Sequence, residues 1–183
     1  VLAPTAPGLG ESPAFPDLDD YRLTRLADLV VELADRLGLA RFDFVGWSWG
    51  ASIGMHLAAG HADRLTSLVL LDAGHTDVQD VMEWKESSLE ERIAEFASSA
   101  ESFESWDAVL ELARERATDW RPALEERLRA GLEEQDGRIV ARADLAAGAA
   151  ALHWVGVERP STQFQAVGAL ELPILLVVAT RND

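Results

Sequence analysis

The sequence predicts an α/β fold: a mostly parallel sheet with crossover helices and an inserted helical cap. Three observations carry that prediction. Short apolar runs at Phe42–Val45, Leu65–Leu71 and Pro173–Ala179 are separated by helical stretches, and strands that alternate with helices imply right-handed crossovers and a parallel sheet. The run at Leu65–Leu71 is apolar at successive positions from Leu68 on, and that at Pro173–Ala179 throughout, as strands are when both faces of a sheet are covered. From Asp77 to about Val167 the character changes: Trp84, Trp106, Trp120 and Trp154 are scattered among acidic helical segments. The expected organisation is therefore a partial core of residues 1–76 and 168–183, with 77–167 as the inserted cap.

Composition bounds the function. The chain has 183 residues, a one-domain length with material for a sizeable core. It has no cysteine, which excludes a disulfide framework and thiolate chemistry. A formal net charge of −16 argues against nucleic acid or an anionic membrane surface as partner. Much of the acid lies between Glu83 and Glu134, where solvated helix faces account for it. No apolar run approaches a membrane span and no secretory signal is visible, so a cytoplasmic location is expected.

In chain order, Val1–Ala3 reads as the end of a strand, and Pro4 to Pro13 as a loop rich in proline and glycine. Leu23, Leu26, Leu29, Val30, Leu33 and Leu37 fall at helical spacing, which predicts a helix over about Tyr21–Leu37 with one buried face. Gly38 stands where a C-terminal cap belongs. Gly60–Arg64 reads as a turn. Within the insertion, Pro122 opens a helix over Ala123–Ala130. Glu134–Arg138 reads as a turn, Ile139–Val140 as a short strand, and Ala143–Val155 as a further helix that Gly148 weakens.

The chemistry points to one stretch, Arg41–Ala59. A strand at Phe42–Val45 meets a small-residue helix from Gly50 on, with Gly46-Trp47-Ser48-Trp49-Gly50 between them. A serine at so abrupt a strand-to-helix turn is forced into a strained backbone and presents its hydroxyl above the end of the sheet. Gly46 and Gly50 are expected to leave room for the close chain crossing. The backbone N–H of Trp49, at a helix N-terminus, is placed to stabilise an oxyanion.

Four blocks of this sequence resemble the α/β-hydrolase family. Val1–Pro4 through Pro7-Gly8-Leu9-Gly10-Glu11-Ser12 looks like the family's strand and "PGxGxS" loop. Tyr21–Leu39 is similar to its helix ending in "LGL", Val45–Gly50 to its nucleophile elbow, and Leu68-Val69-Leu70-Leu71-Asp72 to the strand that follows. The strand from Pro173 resembles the one preceding the family's catalytic acid. The resemblance implies a serine hydrolase without a cofactor or metal, acting on a small, partly apolar ester or amide through an acyl-enzyme. Ser48 matches the nucleophile and the Trp49 N–H one oxyanion donor. Asp183 stands near the acid, one residue from the commonest spacing; Asn182 takes that spot, and Asp72 is a further alternative. The family's second oxyanion donor and its catalytic histidine have no counterpart in the sequence, which looks clipped at both ends. A non-catalytic binding protein, an acyltransferase, or a cofactor-free lyase or oxygenase on the same scaffold are the rival readings.

The remaining polar and aromatic residues have plainer readings beside functional ones. His56, inside the small helix, reads as packed or hydrogen-bonded, His61 as a surface residue, and His153 as part of a cap helix. His75 follows Asp72 at the sheet end where Ser48 should stand, and is expected to line a substrate pocket. Trp47 is expected at the same pocket, although packing beside the elbow accounts for it equally, as helix packing does for the cap tryptophans. No two histidines pair at metal-ligand spacing.

Overall fold

The computed structural model describes residues 1–81 and 83–179. Its elements are α1 (Leu23–Arg36), β1 (Phe42–Trp47), α2 (Trp49–His61), β2 (Leu65–Leu71), α3 (Val78–Val81), α4 (Leu89–Ser99), β3 (Ser102–Phe103), α5 (Trp106–Arg116), α6 (Pro122–Gly131), β4 (Leu132–Gln135), β5 (Arg138–Ala141), α7 (Leu145–Val157), α8 (Phe164–Gly168) and β6 (Ile174–Val177). They form two compact units. One joins Val1–Leu18 to Ser88–Ala150; the other joins Asp19–Ser87 to the stretch from Ala151 on.

The second unit holds a parallel sheet in the order β1-β2-β6. The expected parallel α/β arrangement is therefore present. Helix α1 stops where the sequence says it should. Gly38 adopts φ +71°, the Leu39 N–H donates to the Ala34 carbonyl at 2.9 Å, and the Gly38 N–H donates to Asp35 at 3.0 Å. Those two bonds satisfy carbonyls that the helix end would leave bare. Of its apolar positions Leu23 and Leu26 are buried, Leu29, Val30 and Leu33 are half-buried, and Leu37, just past the helix end, is exposed. The residues from Gly60 to Arg64 are not a separate turn: α2 runs on to His61, and a 3-10 turn covers Ala62–Arg64.

Helix α2 packs on one face of the sheet. Leu65 and Leu68 there are fully buried and Leu70 is 3% exposed. At Gly54 an added Cβ would meet Phe44, Leu70 and Leu68 side-chain atoms at 3.0–3.2 Å, so the helix rides directly on the strands. Here one expectation fails. β6 is not a buried strand: Ile174, Leu175, Leu176 and Val177 are 40%, 56%, 43% and 45% exposed. It is the last strand of the sheet, paired on one side only among the described residues, and on the face away from α2 Val45 and Trp47 are 61% and 62% exposed.

The first unit is not purely helical. Ser88 caps α4, accepting from the Glu91 N–H, while Glu91 returns a bond to the Ser88 N–H. Pro122 opens α6 as its sequence indicates. The expected turn and the short strand at Ile139–Val140 are present, the strand as part of β5, and two unexpected strands, β3 and β4, pair with it in an antiparallel sheet of order β3-β5-β4. Its hairpin turns on Asp136 and Gly137, at φ 51° and 75°, the two positive values a two-residue hairpin loop requires. Val1–Ala3 takes no strand conformation and is exposed; a strand needs a ladder partner, and none of the described strands pairs with it. Its unit includes the Asp144 N–H, which donates to the Gly8 carbonyl at 2.8 Å.

Candidate active site

β1 ends at Trp47 and α2 begins at Trp49, leaving Ser48 alone between strand and helix. Its backbone sits at φ 51°, ψ −116°. A side chain at such a positive φ stores about 1–3 kcal/mol of strain, and the surroundings must hold it there. Three hydrogen bonds do so. The Ser48 N–H donates to the Leu71 carbonyl at 3.0 Å, and the Ser48 carbonyl accepts from the Ala51 and Ser52 N–H groups at 2.9 and 3.2 Å. The hydroxyl takes no part in capping α2, and the residue is exposed. A hydroxyl with no hydrogen-bond partner among the described residues thus stands at the positive end of a 13-residue helix.

The two glycines of the turn are not equivalent. A Cβ on Gly46 would lie 2.3 Å from the Gly50 carbonyl oxygen and 2.7 Å from the Ala51 nitrogen, whereas one on Gly50 would meet nothing within 4 Å. The close crossing is the Gly46 α-carbon against the backbone of Gly50 and Ala51. Position 50 contributes a carbonyl that any residue has, so the expectation that both glycines clear the crossing holds for Gly46 only. A third glycine, which the sequence reading passed over, matters more than Gly50. Gly74 adopts φ +80°, and its added Cβ would be 2.8 Å from the Ala51 carbonyl oxygen. The chain leaving β2 is pressed onto the first turn of α2; a glycine three residues beyond a strand end was the available signal.

Trp47 and Leu71 are register partners, so Ser48 and Asp72 leave neighbouring strands at the same level. Asp72 has φ 57°, its N–H donates to the Val177 carbonyl at 2.7 Å, and its carboxylate accepts from the Ala179 N–H at 3.0 Å. That carboxylate ties down the chain leaving β6. His75 follows Gly74 and is half-buried, and its Nδ1 is enclosed without a hydrogen-bond partner among the described residues. The Trp49 indole N–H is enclosed and unbonded in the same way. Trp47 goes elsewhere: strand alternation turns it away from the Gly46 side, into one row with Leu71 and Val177. Asp183 and Asn182 lie outside the described residues.

The other histidines follow their plainer readings. His56 is 5% exposed and its Nε2 lies 3.2 Å from the Glu158 carbonyl oxygen. Burial pushes it below the ordinary 6.5, against the opposing pull of Glu158. His61 meets Asp28 at 2.7 Å near the surface, and His153 stands edge-on to Trp154 with ring centres 5.0 Å apart. The large aromatics of 77–167 are engaged in packing: Trp154 is 6% exposed beneath the Arg22 guanidinium, and Trp84 lies against Gly156. Arg129 lies over Trp106 at 4.7 Å from the ring centre, and Arg114 over Trp120 at 5.2 Å.

Known proteins resemble this chain at two levels. Over 50 residues, 27% of the chain, it is 46% identical to homoserine O-succinyltransferase from Xanthomonas campestris pv. campestris. Over 72 residues, 39% of the chain, it is 32% identical to bifunctional epoxide hydrolase 2 from Sus scrofa. The matched stretches span 14% and 13% of those proteins' own length. An esterase structure from Mycobacterium tuberculosis superimposes with a TM-score of 0.66 at 23% identity, covering 93% of this chain and 56% of that one, a likeness that speaks for the fold alone. The sequence pattern that defines the alpha/beta hydrolase fold matches residues 1–149, and the chain belongs to that family.

Proposed function

We propose that the chain is the nucleophile-bearing part of a serine hydrolase, and that Ser48 attacks the carbonyl of a small, partly apolar ester or amide. The observation that carries this reading is the Ser48 backbone, held at φ 51° between β1 and α2 with its hydroxyl outside the helix cap. The serine oxygen adds to the carbonyl carbon, the Trp49 N–H donates to the oxyanion, and the leaving group departs with a proton to give an acyl-enzyme. Water then releases the acid. Asp183 is the proposed acid, with Asn182 and Asp72 as alternative occupants of that role. The base in this reading is a histidine, a role to which none of the 183 residues is assigned. His75 is a proposed substrate contact, residues 1–76 and 168–183 the catalytic core, and 77–167 the part that selects substrate; Trp47, in the row with Leu71 and Val177, is not assigned to the site. The proposed setting is the cytoplasm.

A fluorophosphonate probe on the whole gene product tests this. It should label the protein, and Ser48→Ala should abolish labelling and lower ester turnover by about 10⁴-fold or more while leaving the unfolding transition in place. Undiminished labelling in Ser48→Ala would remove the reading.

The homoserine O-succinyltransferase stretch favours one second reading, acyl transfer from the same acyl-enzyme to an alcohol in place of water. Product composition with an added alcohol acceptor separates the two.

A further inference from the structure

Asp77 is a carboxylate in the interior, 8% exposed. Both of its oxygens go to one residue 84 positions further along the chain: Oδ1 accepts from the Ser161 N–H at 3.0 Å and Oδ2 from the Ser161 hydroxyl at 2.6 Å. A buried carboxylate persists only where donors replace its water, and bonds to an ionised acceptor are the short, strong ones. The start of α3 does not account for it. That turn uses the Asp77 main-chain carbonyl, which accepts from the Asp80 N–H at 3.0 Å and which any residue would supply.

The carboxylate closes a segment, Asp72–Asp77, that is fixed along its length. At its start the Asp72 N–H and carboxylate are bonded to Val177 and Ala179. Gly74 is pressed onto the Ala51 carbonyl in the first turn of α2. Between Gly74 and Asp77 stand only His75 and Thr76. His75 Nδ1 has no partner among the described residues, so the ring is not held through that atom and its place follows from the backbone on either side. Ser161 is itself well placed. It follows the fully buried Pro160 in a 3-10 turn, Pro160–Gln163, that packs on α2. All these residues belong to the unit that joins Asp19–Ser87 to the stretch from Ala151 on. His75 is thus flanked by two ties to α2, the helix at whose start Ser48 stands.

We propose that Asp77 is a positioning residue: through Ser161 it fixes the turn that presents His75 beside the elbow, and so sets substrate binding without touching substrate. The inference rests on the reading of Ser48 as nucleophile and His75 as substrate contact. A contact made equally in the ground and transition states governs KM and spares kcat, so loosening His75 should act on KM. The fold does not depend on the carboxylate alone. One helical turn on, the Gln79 amide donates to the Gly156 carbonyl at 2.8 Å, a second tie that survives loss of the first.

The test measures three quantities: KM and kcat for p-nitrophenyl butyrate, the rate of fluorophosphonate labelling at Ser48, and the urea midpoint. Asp77→Ala should raise KM about tenfold, with kcat and the labelling rate within about twofold and unfolding still cooperative. Asp77→Asn should restore KM to within about twofold of the unaltered protein. Its amide oxygen accepts from the Ser161 N–H, and the Ser161 hydroxyl turns to accept from the amide N–H. Ser161→Ala, which keeps the main-chain bond and loses the hydroxyl one, should fall between the two. His75→Ala should raise KM as Asp77→Ala does, and the double variant should be no worse than His75→Ala alone, because both remove one contact. An unchanged KM in Asp77→Ala would overturn the proposal. So would additive effects in the double variant, or a loss confined to kcat and labelling, which would assign the segment to support of Ser48. Absent labelling of the unaltered protein is a different failure. It would remove the Ser48 reading, and this inference with it.

Discussion

The two faces of the sheet β1-β2-β6 share the same strands and the same alternation, yet they differ in what each side chain meets. Against α2 the backbone is packed so tightly that glycine is required: Gly46 faces the Gly50 carbonyl, and Gly54 fits between Phe44, Leu68 and Leu70. On the opposite face a tryptophan is 62% exposed. The tight face is also the one that builds the elbow. Ser48 holds its strained conformation because α2 is pulled onto the strands at Gly46 and Gly74, and because Leu71 of the next strand accepts its N–H. Tight packing on one face and chemical presentation at the strand ends are thus one structural fact.

The largest effect that tests this contrast is at Gly46. In Gly46→Ala the new methyl would overlap the Gly50 carbonyl oxygen at 2.3 Å, a backbone atom that has no rotamer to yield. The variant should lose more than about 4 kcal/mol, the exceptional end of single-substitution effects, and with it soluble protein and fluorophosphonate labelling. Gly50→Ala is the matched control, because nothing lies within 4 Å of the added methyl. It should keep its urea midpoint, or gain slightly from the better helix former. Equal losses in the two variants would mean that the elbow crossing is not where the Gly46 contact places it.

Gly54→Ala should be intermediate. The added Cβ would meet side-chain carbons at 3.0–3.2 Å, and side chains shift where a carbonyl does not. A loss of about 1–3 kcal/mol by urea unfolding is expected, typical of one extra methyl in a filled core. A neutral result would show that α2 stands off from the strands, and that the close face owes its tightness to Gly46 alone.

Much of the close face was legible before the structure. Leu65–Leu71 is a strand to the residue, because its apolar run is bounded by a charged turn and by Asp72. Gly38 is the helix stop its position announces. Ser48 is identifiable because strand, glycine and small-residue helix constrain the same few positions. What supports Ser48 was not legible: the Leu71 carbonyl and the Gly74 contact come from a different strand, and pairing register is not written locally. Of the hairpin β4–β5, the turn and Ile139–Val140 were legible, and β4 was not. Leu132-Glu133-Glu134-Gln135 has the composition of a helix surface, and only its ladder to Arg138–Ala141 makes it a strand. Asp136-Gly137 was the local sign of that ladder. The burial of β6 was misjudged because an apolar run records what a strand needs as cover, and says nothing of where that cover comes from.

The smallest effect is predicted on the open face, where it discriminates most. Val45→Thr keeps the shape and the β-branch and exchanges a methyl for a hydroxyl. At a buried site that exchange is not conservative, because the hydroxyl is desolvated without a partner, at about 1–3 kcal/mol. At a position 61% exposed the hydroxyl stays in water, and stability should move by no more than about 0.5 kcal/mol. Urea unfolding of the protein beside its Val45→Thr variant checks this. A midpoint lowered by the buried-site amount would place Val45 under cover, and the contrast between the two faces would then be wrong.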